Sequence, residues 1–148
     1  METQVYSEYQ KVHTRCSDVV DYGNFVEISV KKKAIIETAD VVELSQVIKR
    51  HTPQVNFLLI KFNGTFGASK STCDYYSKKR LDCDAEYHAI VISSFFGRIR
   101  ARLALSLNNP KFKFKIFRNS KKAINWFKAN STSKERRPFI IPSVSIQS

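Results

Sequence analysis

Two stretches near the start of the chain, Lys11–Val20 and Phe25–Lys31, show partial alternation of apolar and polar residues. In the second, Val26, Ile28 and Val30 point one way and Phe25, Glu27 and Ser29 the other, which is the period of an extended strand. Asp21-Tyr22-Gly23-Asn24 between them is rich in turn formers, so the pair predicts a β-hairpin. Then the period changes. Val41, Leu44, Val47 and Ile48 form one helical stripe, with Thr38 as its expected N-cap, Asp40 and Glu43 suited to the positive end of the helix, and Pro53 preventing continuation beyond His51.

From there short apolar runs alternate with helical segments. Phe57–Phe62 and Tyr87–Ile92 read as buried strands covered on both faces. Asn63-Gly-Thr-Phe-Gly67 breaks the first, and a helix is expected over Ser69–Leu81 with Tyr76 and Arg80 on one face. Phe95–Leu107 predicts a helix whose apolar face is Phe96, Ile99, Leu103 and Leu107, ended by Asn108-Asn109-Pro110. Over Phe112–Arg118, Phe112, Phe114 and Ile116 share one face while Lys113, Lys115 and Phe117 share the other. Ser120 is the expected cap of a final helix carrying Ala123, Ile124, Trp126 and Phe127. The order β-β-α-β-α-β-α-β-α predicts an α/β fold: a mixed, mostly parallel sheet of about five strands with about four helices.

The 148 residues suit one domain. Residues 1–10 read as an N-terminal extension or edge strand, 11–130 as the domain, and 131–148 as a flexible basic tail. No run approaches the ~20 apolar residues that cross a bilayer. Met1–Gln10 lacks a basic segment followed by an apolar one, so a cytoplasmic location is expected. Cys16, Cys73 and Cys83 form no C-x-x-C, and His13, His51 and His88 stand singly, so neither a disulfide framework, a metal site nor a cofactor is expected.

Charge changes the picture more. Residues 1–74 balance 9 basic against 9 acidic side chains, whereas the whole net charge of +12 falls in residues 75–148. Such asymmetry points to an anionic partner.

Three segments carry a family resemblance: Ile36-Glu-Thr-Ala-Asp-Val-Val; His88-Ala-Ile-Val-Ile-Ser-Ser followed by Arg98 and by Leu107-Asn-Asn-Pro; and Ile116-Phe-Arg-Asn-Ser-Lys-Lys-Ala-Ile-Asn-Trp-Phe. Over about residues 11–129 the chain resembles the STAS-type, SpoIIAA-like small bacterial domains, and among them stand-alone proteins that are lipid-transfer-like, of the CRAL-TRIO kind. The resemblance implies a binding or regulatory module without catalytic apparatus, acting by protein–protein contact, with a protein partner or a homodimer and room for a small anionic or lipid ligand.

It also directs attention to particular residues. In the regulators of this family a serine at the N-terminus of the helix after the central strand is phosphorylated, commonly after an Asp. The nearest match here is Ala68 followed by Ser69, Lys70, Ser71 and Thr72, without the Asp. A helix N-terminus offers free N–H groups to an anion, while Ser69 also fits a plain N-cap. Gly64, Gly67, Lys70 and Ser71 do not have the spacing of a nucleotide-binding P-loop.

Arg98 and Arg102 are helical neighbours and a candidate anion site, with Arg100 turned well away from both; the resemblance extends to Arg98 alone of the three. Lys113 and Lys115 are further candidates. Interleaved aromatics there invite a nucleic-acid reading, but alternation puts Phe112 and Phe114 on the face away from the lysines, which suits an edge strand guarded by charge. No spacing identifies a nucleophile with its base, so no catalytic residue is expected. The alternative to a regulatory module is a protein binding nucleic acid, another polyanion or a membrane surface through its basic C-terminal half.

Overall fold

Residues 11–51, 54–79 and 85–131 are described by the computed structural model. Their elements run β1 (Lys11–His13), β2 (Ser17–Asp21), β3 (Val26–Val30), β4 (Ala34–Ile36), α1 (Thr38–His51), β5 (Phe57–Phe62), β6 (Phe66–Ala68), α2 (Lys70–Lys79), β7 (Tyr87–Ile92), α3 (Phe95–Asn108), β8 (Lys113–Phe117) and α4 (Ser120–Asn130). The N-terminal extension, Pro53, Cys83, the helix end at Arg80 and Leu81, and residues 132–148 of the basic tail lie outside the described residues.

Six strands form one sheet in the order β1-β2-β3-β5-β7-β8. The first three are antiparallel neighbours, and β3, β5, β7 and β8 run parallel. Register places Val26, Leu58, His88 and Phe114 in one row across the sheet. Each parallel step needs a crossover, and α1, α2 and α3 supply the three of them. The fold is therefore α/β with four helices on a mixed, mostly parallel sheet, as the alternation of short apolar runs and helical stripes predicts.

Parity in the strands divides the core. Val26, Ile28, Leu58 and Ile60 point to one face and meet Val41 and Ile48 of α1, while Ile90 and Ile92 meet Leu105 of α3. Phe25, Phe57, Leu59, Ala89, Val91 and Phe117 point to the other and meet Ala123, Ile124 and Phe127 of α4. The Phe127 ring lies 4.9 Å from that of Phe57 and 5.8 Å from that of Phe25.

The structure departs from the sequence reading in several places. The main sheet has six strands because Lys11–Val20 is two strands: Thr14 folds the chain back, its amide donating to the Ser17 carbonyl at 2.8 Å. Two three-residue strands, β4 and β6, pair in parallel as a separate ribbon, with Ala34 opposite Phe66 and Ile36 opposite Ala68. Thr38 is the first residue of α1 rather than its cap. The Glu37 amide ahead of it donates to the Asp40 carboxylate at 2.8 Å, so a side chain within the first turn satisfies the amide at the helix start. The cap of α4 is Asn119, whose side chain accepts from the Lys122 amide at 3.0 Å, and not Ser120.

The largest correction concerns α3. Its large apolar stripe does not face the core: Phe96, Leu103 and Leu107 are exposed, together with Phe95. The inward side carries Gly97, Ala101, Ala104 and Leu105. Close approach decides the orientation, since a Cβ on Gly97 would lie 2.9 Å from Ile92 Cγ2. Ser94 caps the helix, accepting from the Gly97 amide at 3.2 Å, and Asn109 ends it in the left-handed region at φ 51°.

Candidate functional site

Small residues on the inner side of α3 leave space against the sheet. That space is a cavity of about 320 Å³. Its floor is Ile28, Val30, Ile60, Phe62, Ile90 and Ile92 from β3, β5 and β7. Val41 and Leu44 of α1 close one side, Thr72, Cys73 and Tyr76 of α2 another, and Gly97, Ala101, Ala104 and Leu105 of α3 form the roof. The β4–β6 ribbon adds Ile36 and Phe66, whose ring stacks on that of Phe62 with centroids 4.0 Å apart.

The strand order never reverses across the parallel strands, so the sheet has no crevice of the kind where doubly wound folds bind their ligands. The space lies between layers instead. Its lining is almost wholly apolar, and Arg100 is the charged side chain among the lining residues. Burial pushes the Cys73 thiol up from its ordinary value, with Asp74 adding to the effect, so this cysteine stays protonated and contributes apolar surface.

Behind the cavity lies a buried polar group. His88 is fully buried in β7. Its Nδ1 is 2.7 Å from the Tyr76 hydroxyl, its Nε2 is 3.2 Å from the Ala85 carbonyl, and Phe112 stacks on the ring at 3.9 Å. In the neutral ring Nε2–H donates to the carbonyl and Nδ1 accepts from Tyr76. The arrangement holds α2 and the start of β7 together and leaves the tyrosine ring at the cavity wall.

The residues singled out in the sequence do not converge. Ser69 Oγ accepts from the Thr72 amide at 3.2 Å and so caps α2; it also lies 3.0 Å from Ser71 Oγ and 2.9 Å from Thr72 Oγ1. Ser69, Lys70 and Ser71 are exposed, whereas Thr72 is buried and lines the cavity. Arg98 donates to the carbonyls of Ile92 at 3.0 Å and Ser93 at 2.8 Å, tying α3 to the end of β7. Arg102 is exposed on the outside of α3.

Lys113 and Lys115 project from the edge strand β8 on the α4 face, away from the cavity, with Lys113 Nζ 5.1 Å from the Tyr87 ring centre and Lys115 Nζ 5.7 Å from that of Phe117. Arg100, which sequence reasoning set aside as the arginine turned away from the other two, is the one at the cavity. The spacing of Gly97, Ala101 and Ala104 was the signal that could have identified it, because small residues recurring on one helical face mark the side of closest packing.

No protein-family model matches this chain, and no curated protein matches its sequence. Among the described residues no helix is long and apolar enough to cross a membrane. In three dimensions the chain resembles an uncharacterised protein of the DUF3478 family from Shewanella loihica, described as having a SpoIIAA-like fold. The TM-score is 0.51 with 13% sequence identity, over 80% of this chain and 91% of that one. The sheet order, the placement of the four helices and this likeness together identify the architecture as a SpoIIAA-like α/β fold.

Proposed function

We propose that the protein is a non-enzymatic binding module that takes the apolar chain of an amphiphile into the cavity beneath α3 and holds its anionic head at Arg100. The observation that carries this reading is the cavity itself, apolar and about 320 Å³, with a single type of charge at its boundary. Ligand pockets occupy ~300–1,000 Å³ and combine apolar walls with a few polar groups that orient the ligand. A lining of this kind suits the acyl chain of such a ligand better than a wholly polar one. The nucleic-acid reading has less support, because the Phe114 ring lies on the α3 face of β8 and Lys113 and Lys115 on the α4 face, so one surface does not present both.

Calorimetric titration with dodecanoate and with uncharged dodecanol tests the proposal. One saturable site is expected, tighter for the acid. Ala101→Phe should fill the space and abolish binding of both, with its urea midpoint checked to show that the domain still folds; Ala104→Leu is the milder second variant. Arg100→Gln should lower dodecanoate to the affinity of dodecanol. Binding unaffected by either cavity-filling substitution in a folded protein overturns the reading.

A further inference from the structure

The outer face of α3 is apolar where a helix facing water is ordinarily polar. Phe95 is 62% exposed, Phe96 73%, Leu103 58% and Leu107 83%. Singly exposed apolar residues are common on protein surfaces, but a contiguous row of large ones marks a contact site. These are contiguous: at 3.6 residues per turn, Phe95, Ile99, Leu103, Phe96 and Leu107 occupy an arc of about 120°.

Arginines border that arc on both sides. Arg98 and Arg102 lie along one margin and Arg100 along the other, and the sequence of α3 contains no Asp or Glu. Arg98 Cζ sits 5.9 Å from the centre of the Phe95 ring. Its hydrogen bonds go to uncharged carbonyls, so its positive charge remains available at the surface.

We propose that this face docks on the surface of a bilayer containing acidic lipid. An apolar arc with cationic margins is the pattern of a helix lying in the interface plane, with its large side chains among the acyl chains and its arginines at the head groups. Charge complementarity selects this occupant. A second copy in a two-fold interface would set the same face against itself, bringing Arg98, Arg100 and Arg102 toward their own counterparts with no acidic side chain on either helix to offset them. Nucleic acid would meet the arginines but offers no apolar layer to cover Leu103 and Leu107. The proposal stands on the outer face of α3 and does not require the cavity to be occupied.

Flotation of the full-length protein with phosphatidylcholine vesicles, with and without phosphatidylserine, is the test. Recovery is expected with the acidic vesicles and should fall as salt is added. The triple variant Phe96→Ser, Leu103→Ser, Leu107→Ser should lose recovery at least ten-fold while keeping its thermal midpoint, since these side chains are exposed. Arg102→Gln should weaken partitioning about five-fold, the share of one cation near an anionic surface. Ala101→Phe should float as the parent does, which separates this result from failure of the cavity reading. Equal recovery on both vesicle types, or a triple variant that floats like the parent, overturns the proposal. So does sedimentation equilibrium showing a dimer that the triple variant converts to monomer, which would assign the face to a second copy.

Discussion

Gly97 and Ile92 are in contact across the α3–β7 boundary so closely that a Cβ at position 97 would stand 2.9 Å from Ile92 Cγ2. That distance sets how near the helix comes to the sheet, and thus which side of it faces inward. Alanine at 97 should therefore destabilise the protein by about 1–3 kcal/mol through overpacking, despite a helix propensity better by ~1 kcal/mol. Combining it with Ile92→Ala, which removes the clashing methyl, should cost less than the two changes added together. Urea denaturation of the two single variants and the double variant measures the coupling.

Arg15 and Asp40 make a two-pronged ion pair, with Nε to Oδ1 at 2.7 Å and Nη2 to Oδ2 at 2.5 Å. The Arg15 side chain is the main cause that lowers the Asp40 carboxyl from 3.8 to about 2, against the opposing effect of its burial. A carboxylate depressed in the folded state contributes stability that is present above its unfolded value and lost as pH falls through its folded one. Parent and Arg15→Ala should differ in thermal midpoint at neutral pH, and the difference should shrink between pH 3.8 and about 2. Parallel curves across that range would show that the pair is not what lowers Asp40.

Glu27 has the opposite sign. Burial raises its carboxyl above the ordinary value of 4.5, with Lys61 and Lys11 pulling partly the other way. The folded state then holds the proton more firmly than the unfolded chain, so stability falls as pH rises above 4.5 toward the raised value. Glu27→Gln should unfold at a higher temperature than the parent at pH 7, and this advantage should fade as pH drops below 4.5. An advantage over the parent no larger at pH 7 than at pH 4 contradicts this.

The Tyr76 hydroxyl meets His88 Nδ1 at 2.7 Å inside the fold. Tyr76→Phe removes that hydrogen bond from a fully buried ring and should cost about 1–3 kcal/mol. Chemical denaturation reads the loss. A neutral result would show that water or a shift of the ring replaces the tyrosine.

Much of the fold is legible in the sequence because β3 alternates, β5 and β7 carry strand-length apolar runs, and turn formers such as Asn109 and Pro110 bound the helix that follows β7. The β4–β6 ribbon is not, since three residues are too few to display a period. The rotation of α3 is misread for a different reason. Hydrophobicity ranks Leu103 and Leu107 above Ala101 and Ala104, whereas contact at the distance of Gly97 from Ile92 requires the smaller side chains. Arg100 goes with that error: its separation from Arg98 and Arg102 around the helix is plain from spacing, but which of them borders the cavity depends on how the helix is turned. Ser69 as an N-cap and Lys113 and Lys115 on an edge strand follow directly from local chemistry, and the structure places them so.

The sheet order has a consequence for how the protein comes into being. From β1 onward every strand of the main sheet joins the edge left open by the one before it, ending with β8. No strand must be inserted between two that are already paired. A chain emerging from the ribosome can thus assemble in the order it is synthesised, each crossover helix settling before the next edge is offered. Apart from the outer side of β1, the edge exposed at each stage is the one the following strand will cover, and the last edge carries Lys113 and Lys115, whose charges discourage any further strand from joining it.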